Sequence, residues 1–150
     1  MPEKRTIQRA HRDAREGKAP TTQAGEFVRE EMDHIRKGKH GARSSKQAIA
    51  IGLSKARRAG VKLAPPKGNA SARTRKQAAR DTAKGQSGTR KKVSAKRSRA
   101  TSNALKREGR TAASHRSLSR QAKTAARARK TARTKSSRAT KSTRTKSARG

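Results

Sequence analysis

Nearly all the large apolar side chains of this sequence lie before a proline pair, Pro65-Pro66. Apart from Met1, the residues of this kind in the first part are Ile7, Phe27, Val28, Met32, Ile35, Ile49, Ile51, Leu53, Val61 and Leu63. The rest of the chain has only Val93, Leu105 and Leu118. Because the burial of apolar surface drives folding, we expect a packed core only in residues 1–66.

The charge divides at the same place. Residues 1–66 contain 16 Lys and Arg and 7 Asp and Glu, whereas residues 67–150 contain 28 basic and 2 acidic residues, so the net charges are +9 and +26. Few apolar residues and a high net charge are typical of segments that do not fold alone. The sequence therefore predicts a long basic tail over 67–150, disordered or nascent-helical when free. Such a charge indicates a polyanionic partner, most commonly a nucleic acid.

The clearest helix signal covers residues 45–59. Ser44 with Gln47 three residues later is typical of a capping box, and Ile49, Leu53 and Ala56 follow the spacing of one helical stripe. Gly60 suits the left-handed position beyond a helix end. We therefore predict an amphipathic helix that ends at Ala59.

A second helix is predicted over residues 22–37, with Thr22 as its N-cap and Gly38 after its end. Its apolar face consists of Ala24, Phe27, Val28, Met32 and Ile35. The acidic residues Glu26, Glu30, Glu31 and Asp33 precede Arg36 and Lys37, an order that agrees with the helix dipole. We interpret these acids as a solvated face that pairs with nearby Lys and Arg, since a catalytic or metal-binding carboxylate cluster would lack partner residues.

The loop between these helices is short, and short loops join antiparallel neighbours. We expect a helical hairpin whose core sets Phe27, Val28, Met32 and Ile35 against Ile49, Leu53, Val61 and Leu63. A phosphate contact at the Gly-rich loop 37–45, which leads into a helix N-terminus, is an alternative to an ordinary connector. The hairpin is marginal alone, so a homodimer or a bound ligand would complete it.

The remaining elements complete a mostly α fold. A short N-terminal helix is predicted over residues 3–16, between Pro2 and Gly17, with Ile7 among its apolar positions. We divide the chain into an N-terminal arm and linker (1–20), the helical hairpin (21–66) and the basic tail (67–150).

Catalytic chemistry finds little support in the sequence. The chain has no Cys, which excludes disulfides and thiolate metal sites. Asp33, His34 and His40 are metal-ligand candidates by residue type, but surface histidines are the favoured interpretation because no recognised ligand spacing is present. We expect no enzyme activity, cofactor, metal or small-molecule substrate.

Membrane insertion and base stacking are also disfavoured. No apolar run approaches the roughly 20 residues that span a bilayer, and the N-terminus lacks the apolar core of a secretory signal. Phe27 is the only aromatic residue, whereas single-strand-binding modules stack bases on several. We expect a cytoplasmic, nucleoid-associated protein.

The candidate nucleic-acid contacts are all cations. On the folded part we select Lys39, Arg43, Lys46, Lys55, Arg57 and Arg58. On the tail, which acts collectively, we select Arg127, Arg129, Lys130, Arg133, Lys135, Arg138, Lys141, Arg144, Lys146 and Arg149. Cations at every second or third position suit phosphates along a backbone, and the resulting affinity should fall steeply with salt.

Two resemblances accompany these patterns. The segment from Gly25 to Gly60 contains Ser-x-Lys-Gln-Ala-Ile-Ala-Ile-x-Leu-Ser-x-Ala-Arg, beginning at Ser44, and resembles a family of small uncharacterised basic bacterial proteins. A block from Asn103 to His115 looks like one found in some of the same proteins. The family implies a bacterial source but no activity. The tail resembles those of linker histones and bacterial histone-like proteins in composition.

The sequence thus favours a non-enzymatic DNA-binding protein that contacts phosphates largely without sequence preference. DNA is preferred over RNA. The alternatives are a protein-interaction module with a localising basic tail and an RNA- or ribosome-associated basic protein.

Overall fold

The computed structural model describes residues 2–66, 68, 70–88 and 94–147, with the backbone alone for Ala132 and residues 135–147. Over these residues the chain forms helices and no strand, which confirms the mostly α prediction. The helices are α1 (Lys4–Arg15), α2 (Pro20–Arg36), α3 (Ser45–Arg58), α4 (Ala72–Gln86), α5 (Ala95–Arg107) and α6 (His115–Ser147), with a 3₁₀ turn at Thr111–Ala113.

The chain divides into two compact units, the first ending at Ser114 and the second beginning at His115. In the first unit, α1 packs on α2, α2 on α3 and α3 on α4, while the 3₁₀ turn contacts both α2 and α3. The second unit consists of α6. The divisions after residues 20 and 66 stay interpretations of the sequence.

Local signals at the ends of α3 act as predicted. The hydroxyl of Ser44 accepts a hydrogen bond from the backbone N–H of Gln47 at 3.3 Å. At the other end, Gly60 has φ +95°, and the N–H of Val61 donates to the carbonyl of Ala56 at 3.1 Å. This bond closes a Schellman motif, in which a left-handed residue satisfies the last carbonyls of the helix.

The start of α2 differs from the prediction. The helix begins at Pro20, with Ala19 as its N-cap and no side-chain capping bond, so Thr22 lies inside it. Proline suits the first position because its φ is already helical and its missing N–H would be unpaired there. The first turn consequently carries no acidic residue. The acids of α2 are therefore available for tertiary contacts rather than for the helix dipole.

The hairpin core is built on smaller side chains than predicted. Phe27 and Ile35 are fully buried as expected, but Ile49 and Leu53 are only half-buried. The buried positions of α3 are Ser45, Ala48, Gly52, Ala56 and Arg57. Small residues on this face let the backbones of α2 and α3 approach closely. The spacing of the large apolar residues did not predict this close approach.

Burial also extends beyond the proline pair, against the expectation that the core would stop there. Ala78, Ala112 and Ala113 are buried, as is Asp81. The carboxylate of Asp81 accepts hydrogen bonds from Ser54 and, at 2.7 Å, from the Nε of Arg58. Alanines and a paired carboxylate can dock a helix without large apolar side chains. The count of large apolar side chains therefore did not predict that α4 packs against α3.

Candidate functional site

Two glutamates of α2 are buried rather than solvated. Glu30 is 4% exposed and Glu31 is fully buried. The Nζ of Lys55, on α3, lies 2.5 Å from Oε2 of Glu31 and 3.8 Å from Oε1 of Glu30. The predicted pairing with basic residues is correct, but the predicted solvated face is wrong for these two, since hairpin formation turns them toward α3.

The N-terminus of α1 closes this cluster. The backbone N–H of Glu3 lies 3.2 Å from both carboxylate oxygens of Glu30. The Glu3 carboxylate in turn lies 2.9 Å from Nε2 of His34 and 2.9 Å from Nζ of Lys39. Hydrogen bonding with His34, followed by that with Lys39, lowers the pKa of Glu3 to about 2. The cluster therefore joins α1, α2, α3 and the loop after α2.

Two histidines stand beside Glu31 in this cluster. The rings of His34 and His40 meet edge to face, with centroids 5.9 Å apart. One ring nitrogen of each and one carboxylate oxygen of Glu31 lie within 4.8 Å of one another. Asp33, the acidic partner considered for these histidines from the sequence, has its carboxylate 3.9 Å from Arg36 instead. Glu31 and His34, three residues apart, share a helical face, and that spacing was the available signal.

Four of the six cations selected on the folded part are engaged within it. Lys39 pairs with Glu3, Lys55 with Glu31 and Arg58 with Asp81. Arg57 is only 9% exposed, and its Nη2 donates to the carbonyl of Ala64 at 3.4 Å. These contacts hold the helices of the first unit together, and a binding role for these four stays a prediction.

The other two selected cations, Arg43 and Lys46, are exposed. Neither side chain forms an ion pair with any residue that the structure describes. They lie on either side of the α3 N-cap, Ser44. Of the six selected cations of the first unit, these two are exposed and outside the ion pairs that the structure describes.

The Gly-rich loop itself uses its backbone N–H groups internally. Those of Gly41 and Ala42 donate to the carbonyls of Leu105 and Gly109 at 2.8 and 3.0 Å, and that of Arg43 donates to the side chain of Gln47. The last turn of α5 and the residues that follow it thus contact the loop. The alternative of a backbone phosphate cradle is not supported at these three positions.

The second unit carries the densest positive charge. Helix α6 has 33 residues, of which 12 are Lys or Arg and none is acidic. Arg127, Arg129, Lys130 and Arg133 are exposed on it. Of the other selected residues, Lys135, Arg138, Lys141, Arg144 and Lys146 lie in the part of α6 described by backbone alone, and Arg149 lies outside the described residues.

A cationic stripe lies at the start of α6, and of its members only Arg127 was selected from the sequence. Arg116, Arg120, Lys123 and Arg127 line one shallow depression together with Ser119 and Thr124. Their spacing of four, three and four residues keeps them on one helical face. The same spacing, read along the sequence, would have identified the stripe.

Comparison with known proteins extends the resemblance seen in the sequence. Residues 4–68, less than half of the chain, match a family of unknown function (DUF6496). The match covers α1 to α3 and the residues of the Glu31 cluster except Glu3, and it ends before α4. No curated protein and no solved structure shows significant similarity to the chain. Among the described residues, no helix has the length and apolar character required to cross a membrane.

Proposed function

We propose that this chain is a non-enzymatic DNA-binding protein that contacts phosphates largely without reading base sequence. The observation that carries this proposal is α6, with 12 cations and no acid in 33 residues. Like charges one turn apart destabilise a helix, whereas phosphates neutralise them and release condensed counterions. A polyanion is therefore the partner that this helix suits best.

The distribution of charge between the two units indicates which residues would contact phosphates. In the first unit, the acids pair internally with Lys39, Lys55 and Arg58. In α6 no acid is present to do this. We assign the main phosphate contacts to α6 and an accessory contact to Arg43 and Lys46. Binding of this kind would place the protein in the cytoplasm, on the nucleoid.

The test is fluorescence anisotropy of the full-length chain with duplex DNA across a salt series. A variant with Arg116, Arg120, Lys123 and Arg127 changed to Gln removes the cationic stripe. A matched control replaces the three arginines of the stripe with Lys and keeps every charge. Each phosphate contact contributes about −0.9 to the slope of log K against log salt. The loss of four contacts should therefore make this slope shallower by about 3.6.

The control should keep the slope of the unchanged protein. An unchanged slope in the Gln variant, or binding that depends on base sequence, would refute the proposal. Tighter binding to RNA of the same length would favour the RNA-associated alternative. The protein-interaction alternative would be favoured by two results together: α6 has no affinity for DNA, and the folded first unit captures a protein partner from nuclease-treated lysate. Sedimentation of the free chain tests the homodimer.

A further inference from the structure

We propose that Glu31, His34 and His40 form a binding site for a single Zn²⁺ ion or a similar transition metal. Glu31 and His34 lie one turn apart on α2, and His40 returns from the loop that follows it. One ligand atom from each of the three lies within 4.8 Å of the others. This proposal does not rest on nucleic-acid binding.

The state of His40 is the first argument. Its Nδ1 lies 3.1 Å from the carbonyl oxygen of Gly41, and a nitrogen that donates to this carbonyl leaves Nε2 with a lone pair. Nε2 lies 3.2 Å from Oε1 of Glu31. That oxygen is buried, and among the described residues its neighbour is this ring nitrogen, which forms an ion pair with it only when the ring is protonated. When Nδ1 carries the only ring proton, Nε2 and Oε1 both present lone pairs at 3.2 Å, as two ligands of one metal ion do.

A metal ion accounts for this arrangement. Zn²⁺ binds imidazole nitrogen and carboxylate oxygen at about 2.0–2.2 Å in a tetrahedron. That geometry sets neighbouring ligand atoms about 3.3 Å apart. The 3.2 Å between His40 and Glu31 agrees with it.

The surrounding groups resemble the outer shell of a metal site. Metal-bound histidines usually donate their other ring N–H to a carboxylate or a backbone carbonyl, which fixes the tautomer and the ring orientation. Here His34 has the carboxylate of Glu3 at 2.9 Å and His40 has the carbonyl of Gly41 at 3.1 Å. Lys55, at 2.5 Å from Oε2 of Glu31, holds the carboxylate whose other oxygen, Oε1, lies 3.2 Å from Nε2 of His40.

The local charge also favours a cation. The cluster contains the carboxylates of Glu3, Glu30 and Glu31 and the ammonium groups of Lys39 and Lys55. Without counting the imidazoles, the carboxylates of the cluster exceed its ammonium groups by one. Two imidazoles and one carboxylate suit Zn²⁺ and its neighbours in the transition series rather than Mg²⁺ or Ca²⁺, which prefer oxygen ligands. The ion would join the loop to α2 in a small unit that has no disulfide.

The test uses the full-length chain without a histidine tag, first stripped of metal with a chelator. Isothermal titration calorimetry with ZnCl₂, in a buffer free of phosphate, should show one saturable site per chain, and EDTA should reverse the binding. The double variant His34→Ala/His40→Ala should lose at least 100-fold in affinity. The matched double variant His11→Ala/His115→Ala removes two histidines outside the cluster and should keep the affinity. Equal losses in both double variants would overturn the proposal.

Co²⁺ gives a test that requires no variant. One equivalent should produce the visible absorption bands of a tetrahedral ion, and ZnCl₂ should displace them. Absence of these bands, or Zn²⁺ binding at several weak sites, would overturn the proposal. If the His34/His40 variant loses its circular dichroism signal, Glu3→Gln replaces it. Loss of this outer carboxylate should weaken Zn²⁺ binding by about 10–100-fold, and an unchanged affinity would again overturn the proposal.

Discussion

Gly52 lies in the middle of α3, on the face that packs against α2. A Cβ added there would lie 2.7 Å from Cα, 2.9 Å from Cγ2 and 3.0 Å from the backbone N of Val28. Two of these three atoms belong to the backbone, so no side-chain rotation relieves the contact. Gly52→Ala should therefore force the two helices of the hairpin apart.

The magnitude follows from two opposing effects. Alanine stabilises a helix interior by about 0.8–1 kcal/mol relative to glycine. Overpacking a tight core costs about 1–3 kcal/mol, and backbone contacts place this site at the upper end. We expect a net loss of about 1–2 kcal/mol in the free energy of unfolding. Gly25, in α2, is exposed with nothing within 4 Å of its added Cβ, so Gly25→Ala should instead gain about 1 kcal/mol.

Thermal unfolding of the full-length variants, followed by circular dichroism at the helical minimum, measures both effects. A change of 1 kcal/mol shifts the midpoint by about 4–8 °C for a domain of this size. The midpoint should fall for Gly52→Ala and rise for Gly25→Ala, while α6 contributes equally to both curves. A rise of similar size in both variants would show that α2 and α3 do not pack as closely as described.

Two further predictions concern buried charge. Burial raises the pKa of Asp81, but hydrogen bonds with side chains of α3 and α4 outweigh it and hold this pKa below its ordinary value. The stability that Asp81 contributes is thus complete above its unfolded pKa of about 3.9 and is lost as the pH falls through the lower folded pKa. Asp81→Asn should lower the unfolding midpoint at pH 7 and make it less sensitive to acid below about pH 4; parallel pH profiles would contradict this. Lys55→Met leaves the carboxylate of Glu31 buried without its cation and should cost about 3–5 kcal/mol in urea unfolding, whereas the exposed Lys4→Met should change stability by less than about 0.5 kcal/mol. Equal effects of these two variants would refute the assigned pair.

Local signals predicted the helices well because they act within one turn. Ser44 caps α3 and Gly60 ends it as expected, since both depend on backbone groups three to five residues away. The error at the start of α2 was also local. Thr22 is a good N-cap by residue type, but Pro20 was already suited to the first helical position.

The contacts of the Glu31 cluster could not be read from spacing alone. Its members come from the start of α1, α2, α3 and a loop, and residues in direct contact are up to 36 positions apart, as are Glu3 and Lys39. Sequence order indicated that acids would pair with cations, but not which acids the hairpin would bury. The docking of α4 was missed for the same reason, because it depends on Asp81 meeting Arg58 across two helices.

The sequence by itself determined the helical composition, the hairpin and the concentration of charge in the tail. These follow from composition and from interactions between near neighbours, which are present in any conformation of the chain. Only the tertiary structure decided which cations are engaged: Lys39, Lys55 and Arg58 form ion pairs, whereas Arg43 and Lys46 are exposed. A charge is the same in every conformation, but its partner and its burial depend on which helix packs beside it.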